Sequence, residues 1–152
     1  MAYWWSVGFG SGLLRPAPGT WGSVLGLFLG YLMLLQTQAV WLLIGGAATV
    51  TGISILAIGH IERSAGVHDA SEIVIDEIAG QWLAMLPLAL LPHGWFELGV
   101  SFLLFRIFDI FKPWPIGPLD QKVSGGFGVM VDDLVAGVIA AAILSLLMLY
   151  VI

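Results

Sequence analysis

No charged residue stands between Arg15 and Glu62. A chain that leaves so long a stretch uncharged cannot build a water-facing surface from it. Soluble domains carry about a quarter charged residues. Here the charged fraction is 10%, the hydrophobic fraction 59% and the mean hydropathy +1.00. A bilayer removes the need for a charged exterior, provided every backbone group is paired inside helices or a closed barrel. The uncharged stretch is too long for one crossing of a hydrocarbon core about 30 Å thick. It divides at Gln36-Thr37-Gln38 into spans near Trp21–Leu35 and Ala39–Gly59, the first of them short enough to be re-entrant.

Three further apolar runs follow: Ile78–Leu91, interrupted by Pro87; Trp95–Phe111, which carries Glu97, Arg106 and Asp109; and Leu134–Ile152, which is clean. The expected fold is therefore an all-α integral membrane protein of about five transmembrane or partly re-entrant helices, forming one domain over residues 1–152. Five spans place Arg15, the segment 60–77 and the segment 112–133 on one side. All five basic residues (Arg15, Arg63, Arg106, Lys112 and Lys122) lie on that side or lead into it. The positive-inside rule makes it cytoplasmic. The first fourteen residues contain no Lys or Arg, so a signal peptide with a basic leader is not expected.

The net charge of −5 argues against nucleic-acid binding, which depends on neutralising phosphates with Lys and Arg. The absence of cysteine excludes disulfides, thiolate metal sites and a Cys nucleophile. Gly22, Gly26 and Gly30 recur every four residues and form a smooth helical stripe suited to close packing, and Gly45 and Gly46 read the same way. Trp4, Trp5, Trp41, Trp95 and Trp114 read as interfacial anchors.

The chemistry lies in the carboxylates. Nine of the ten acidic residues fall on the inferred cytoplasmic side. Asp76 and Glu77 lie at the mouth of the third span, Asp109 near the end of the fourth, and Asp132 and Asp133 at the mouth of the fifth. Five like charges at one level are unfavourable without a positive partner. A hard divalent cation such as Mg²⁺, which takes carboxylate and phosphate oxygens, would supply one. Helix capping competes as an explanation for the two pairs, but not for Asp109, which would meet the wrong pole of its helix. Arg106, Asp109 and Lys112, spaced i, i+3, i+6, share a broad helical face. That face reads either as a self-compensating ladder or as two phosphate-binding cations beside a ligand. Asp69, Glu72 and Asp76 would share a face if residues 69–80 are helical, and His68 is a candidate ligand or acid. Two glycine-rich stretches, Gly8–Gly12 and Ser124–Gly128, could turn backbone N–H groups toward an anion. Neither is a Walker A loop, since the Gly-Lys-Ser/Thr ending is missing.

Four blocks in order resemble the phosphatidylglycerophosphatase A family: GFGSGLLRPAPGTWGS (Gly8–Ser23), VHDASEIVIDEIAGQ (Val67–Gln81), FRIFDIFKPWP (Phe105–Pro115) and GGFGVMVDDLVAG (Gly125–Gly137). The resemblance implies a multi-pass enzyme of the bacterial inner membrane with its active site facing the cytoplasm. Such an enzyme is Mg²⁺-dependent and converts phosphatidylglycerophosphate to phosphatidylglycerol and phosphate in phospholipid biosynthesis. The Asp-x-Asp nucleophile motif and the Lys, Arg and His motifs of histidine phosphatases are absent.

On this reading Asp76, Glu77, Asp109, Asp132 and Asp133 bind one or two Mg²⁺ ions, and Asp76, Asp109 and Asp133 are the essential catalytic residues. Arg15, Arg106 and Lys112, with Thr20, Gly10 and Gly12, bind the substrate. The partners are the lipid substrate and membrane lipids, with homo-oligomerisation open. Two alternatives stay open at this stage: another lipid phosphomonoesterase, and a non-enzymatic cation-binding transporter.

Overall fold

The structure is a computed structural model. It describes residue 5 and residues 7–65, 74–122 and 125–150; the side chains of Phe9, residues 57–65, residues 120–126 and Val129 lie outside that description. His68, Asp69 and Glu72 therefore fall outside the described residues, as do the side chains of His60, Arg63 and Lys122. Among the described residues the fold is all-helical, with no strand. Six α-helices follow in order: α1 Pro18–Leu34, α2 Ala39–Ala65, α3 Ile75–Ala84, α4 Trp95–Phe111, α5 Ile116–Lys122 and α6 Gly125–Tyr150. Two 3-10 turns, Gly8–Leu13 and Leu86–Ala89, complete them.

Pro18 opens α1, where its missing N–H is one the helix would leave unpaired in any case. At the start of α4 the Glu97 side chain accepts a hydrogen bond from the Gly94 N–H at 2.6 Å. The single acidic residue assigned to the far side is thus a helix cap.

Three boundaries differ from the sequence expectation. The run Ile78–Leu91 is not one span. α3 ends at Ala84 and a 3-10 turn containing Pro87 follows. Proline lacks the N–H and clashes with the carbonyl four residues back, so the helix cannot continue through it. At 1.5 Å per residue α3 is only about 15 Å long. The second difference is α6, which begins at Gly125, well before Leu134. The third is the short helix α5, which lies in a segment read as connection. Two helices, over Ala39–Leu56 and Met130–Tyr150, are long and apolar enough to cross a membrane, and α1 is apolar but shorter.

The short helix α3 is the hub, packed against α1, α2, α4 and α6. Its contact with α1 is made by the glycine stripe. A Cβ added at Gly22 would meet Val74, one at Gly26 would meet Ile78 and Gln81, and one at Gly30 would meet Met85 and Trp82. The Trp82 indole N–H crosses the same seam to the Gly26 carbonyl at 2.9 Å. Gly46 lies against the Trp82 ring as the packing reading requires, whereas Gly45 faces open space.

Small residues at the helix contacts, including Gly22, Ser23 and Gly26 on α1 and Ala136, Gly137 and Ala140 on α6, are buried beside large ones such as Leu43, Met85 and Phe105. Phe28, Leu56, Leu103, Phe111 and Leu146 point outward and are more than half exposed.

Candidate active site

The site is set by the crossing of α3 and α6. A Cβ on Gly137 would run into the Gly80 carbonyl oxygen. One on Gly80 would lie 2.6 Å from both the Asp133 carbonyl oxygen and the Phe105 ring. Only glycine at both positions lets the two backbones touch. Asp76 precedes Gly80 by four residues, and Asp133 precedes Gly137 by four. Residues four apart share a helical face, so each carboxylate stands one turn from the crossing and is turned toward it. One oxygen each from Asp76, Glu77 and Asp133 can lie within 4.8 Å of the others. Asp76 is only 9% exposed and Asp133 3%.

Position in the helix separates function from capping. Asp76 and Glu77 do occupy the first turn of α3, and Asp76 Oδ1 accepts the Glu77 N–H at 3.1 Å. Asp132 and Asp133 lie two turns inside α6, whose first turn has no acidic residue. Capping does not account for them.

The other two carboxylates are each tied to a cation. Asp109, in the last turn of α4, pairs with Arg106 one turn earlier. It also stands close enough to Glu77 and Asp133 to act on their charge. Asp132 is paired with Lys112, Nζ to Oδ2 at 2.6 Å.

Lys112 does not continue the α4 face that the i, i+3, i+6 spacing suggests. It is the helix C-cap in the left-handed region, with φ 42° and its N–H on the Phe108 carbonyl. That turn sends its ammonium group across to α6. Left-handed backbone costs a non-glycine residue roughly 1–2 kcal/mol, and the ion pair to Asp132 is what it gains.

Arg106 joins α4 to α1. Beside Asp109, its Nη1 donates to Ser23 Oγ at 3.2 Å and its Nη2 to Thr20 Oγ1 at 3.4 Å. Ser23 Oγ in turn donates to the Gly19 carbonyl at 2.9 Å. Gly19 has room for no side chain: a Cβ there would meet a Glu77 carboxylate oxygen and lie 3.4 Å from Arg106 Nη1. Thr20 is therefore at the cluster. Ser23, fully buried, joins it unforeseen. Its spacing of four from Gly19 and three from Thr20 was the available signal.

The glycine segments behave differently from expectation. In the turn Gly8–Leu13, the N–H groups of Gly10 and Gly12 both donate to the Val7 carbonyl at 3.0 Å. Neither is directed at a ligand. Gly125–Gly128 is the first turn of α6 rather than a loop. Arg15 is exposed and makes no ion pair among the described residues. At the opposite end of the bundle a cavity of about 660 Å³, lined by Leu34, Gln38, Trp41, Leu88 and His93 among others, holds no carboxylate.

Five carboxylates thus meet two cations in a buried volume. Such an excess is relieved by protonation or by further positive charge, and a bound cation would supply the latter. Asp76, Glu77 and Asp133 have the right chemistry for a hard metal, with oxygen donors and no sulfur. Glu77 Oε2 is buried and has no hydrogen-bond partner, so a lone pair is available.

An outwardly apolar helical bundle with a buried cluster of carboxylates is the class that this fold and site define. Within that class the comparisons with known proteins are specific. The family model for phosphatidylglycerophosphatase A matches residues 4–148, and the chain belongs to that family. It is similar to phosphatidylglycerophosphatase A of Escherichia coli K12, 40% identical over 91% of this chain and 78% of the relative. The Haemophilus influenzae protein of the same name is 39% identical, covering 91% of this chain and 83% of the relative. A Bacteroides thetaiotaomicron protein, provisionally named a phosphatidylinositol-3-phosphatase, is 36% identical over 87% of this chain and 84% of its own length. No solved structure matches the chain. The chain is accordingly an enzyme, a phosphatase, and the transporter alternative falls away.

Proposed function

We propose that this enzyme is a Mg²⁺-dependent phosphatase of the bacterial inner membrane. It would hydrolyse phosphatidylglycerophosphate to phosphatidylglycerol and phosphate in phospholipid biosynthesis, with its site at the cytoplasmic face. The observation that carries the reading is the convergence of Asp76, Glu77 and Asp133 oxygens within 4.8 Å, beside an arginine reaching in from α4, in a chain of this family.

Membrane residence is supported by the outward Phe and Leu residues, which would be an aggregation hazard in water. Exposed Trp41 and Trp95 at one end of the bundle and Trp114 at the other match two interfacial belts.

The roles follow from position. Asp76, Glu77 and Asp133 hold the cation. When bound, Mg²⁺ supplies charge for the phosphoryl oxygens and for the developing alkoxide. Arg106, steered by Asp109, Ser23 and Thr20, takes the non-bridging oxygens through charge-assisted hydrogen bonds. Lys112 adds positive charge from the side of α6. Asp109, outside the set of three ligands, would take the proton of the attacking water and return it to the leaving alkoxide. The water oxygen bonds to phosphorus, the phosphorus–glycerol oxygen bond breaks, and the alkoxide is protonated to the free hydroxyl of phosphatidylglycerol.

The test is phosphate release from phosphatidylglycerophosphate by detergent-purified protein, with Mg²⁺, with EDTA, and with Asp109→Asn. Release is expected to stop in EDTA, to return with Mg²⁺, and to fall by about 10²–10⁴ in the variant. Release indifferent to EDTA would overturn the metal role. The Bacteroides relative gives a second reading, a phosphorylated inositol lipid as substrate. Faster release from phosphatidylinositol 3-phosphate in the same assay would favour it.

A further inference from the structure

Gln81 is fully buried, and neither its Nε2 nor its Oε1 has a hydrogen-bond partner. A buried amide left unpaired costs free energy on both atoms. Apolar residues of similar volume are available for such a position, so an unpaired amide there calls for a reason.

Its place in the fold supplies one. Gln81 follows Glu77 by four residues and shares its face of α3. Both residues abut the glycine seam of α1, Glu77 at Gly19 and Gln81 at Gly26. In a helix the Cα–Cβ bond tilts toward the N-terminus, and a long side chain covers the turn before its own Cα. The N-terminus of α3 is where Asp76 and Glu77 lie, about 6 Å away along the axis. The amide therefore leans toward Glu77.

Glu77 Oε2, one turn before Gln81 on the same helix, is also buried without a partner. Glu77 Oε2 and Gln81 Oε1 are acceptors and Gln81 Nε2 is a donor, all without a partner. A water molecule, with two protons and two lone pairs, complements such a set, and buried waters occur where two to four polar groups converge.

We propose that Gln81 is a positioning residue: through an enclosed water it fixes the Glu77 carboxylate in the orientation that the divalent cation requires. Groups behind a metal ligand orient it in this way, and their loss weakens metal binding by about 10–100-fold. The proposal rests on the reading of Asp76, Glu77 and Asp133 as a cation site.

The test is direct titration of the detergent-purified, metal-stripped full chain with Mn²⁺ alone, followed by electron paramagnetic resonance, for wild type, Q81M, Q81N and D133N. Thermal unfolding without metal is measured alongside. Q81M is expected to bind Mn²⁺ about ten-fold or more weakly, with its metal-free unfolding midpoint unchanged or raised. Q81N, which keeps an amide on a shorter stem, is expected to recover part of the affinity. Q81M that binds like wild type, while D133N does not bind, overturns the role of Gln81 and leaves the cation site standing. A Q81M protein that does not fold also overturns it, since the amide would then be needed for the fold itself. Wild type that takes up no Mn²⁺, or D133N that binds like wild type, sinks the cation site and this proposal with it.

Discussion

The closest backbone approach at the site is between Gly80 and Gly137, which makes Gly137→Ala the sharpest perturbation. The added methyl would meet the Gly80 carbonyl oxygen, with the Gly80 carbonyl carbon at 3.0 Å and Cα at 3.1 Å. All three are backbone atoms of α3, so no side chain can turn aside. Carbon atoms in contact normally stand 3.5–4.0 Å apart, so α3 and α6 must part by roughly 0.5–1 Å. Overpacking of this kind costs about 1–3 kcal/mol of stability. The larger effect is on chemistry, because Asp76 and Asp133 approach one another through this crossing. A displacement of about 1 Å at a reacting centre can cost 10²-fold in rate. Phosphate release per folded enzyme at saturating Mg²⁺ is therefore expected to fall by about 10²-fold, alongside a lowered unfolding midpoint. Gly45→Ala is the control, since nothing lies within 4 Å of a Cβ there. It should keep full activity. Gly137→Ala with wild-type turnover and stability would show that the glycine crossing does not hold the carboxylates together.

Three further outcomes follow from the contacts. Lys112→Met removes the 2.6 Å pair to Asp132, whose side chain is 7% exposed. Because Lys112 itself is partly exposed, the expected loss is about 1–3 kcal/mol, short of the cost of breaking a fully buried pair, read as a lower unfolding midpoint. Trp82→Phe deletes the indole bond to the Gly26 carbonyl. It should cost about 1 kcal/mol and leave the Mg²⁺ dependence of turnover unchanged, because the ring lies below the site. Arg15→Ala, at an exposed position without an ion pair among the described residues, should leave stability within about 0.5 kcal/mol. If Arg15 meets the substrate it should raise KM rather than lower kcat, which a substrate titration in mixed micelles reads directly.

Much of this was written in the residue order. The uncharged stretch from Arg15 to Glu62 demanded an apolar exterior, and the all-helical fold agrees with it. The four-residue period of Gly22, Gly26 and Gly30 announced a packed seam, because a helix repeats its faces at nearly that interval. The four motif blocks named the family, and the acidic pairs supplied the three carboxylates that converge. Sequence could not say which carboxylates meet. Asp132 and Asp133 are neighbours in the chain, yet consecutive helical residues point about 100° apart. One therefore turns to Lys112 and the other to Asp76 and Glu77. The breadth of α3 was misread for a local reason: Pro87 ends a helix that hydropathy alone would carry on to Leu91. Ser23 offered only its spacing to Gly19 and Thr20, and Gln81 offered none, because a lone amide in an apolar run carries no pattern. Only the docking of α1 and α4 on α3 gives Ser23 its arginine and buries the Gln81 amide. Periodicity fixes which residues share a face. Which faces then touch is decided by close packing in three dimensions, here by two glycines that no neighbour in sequence foretells.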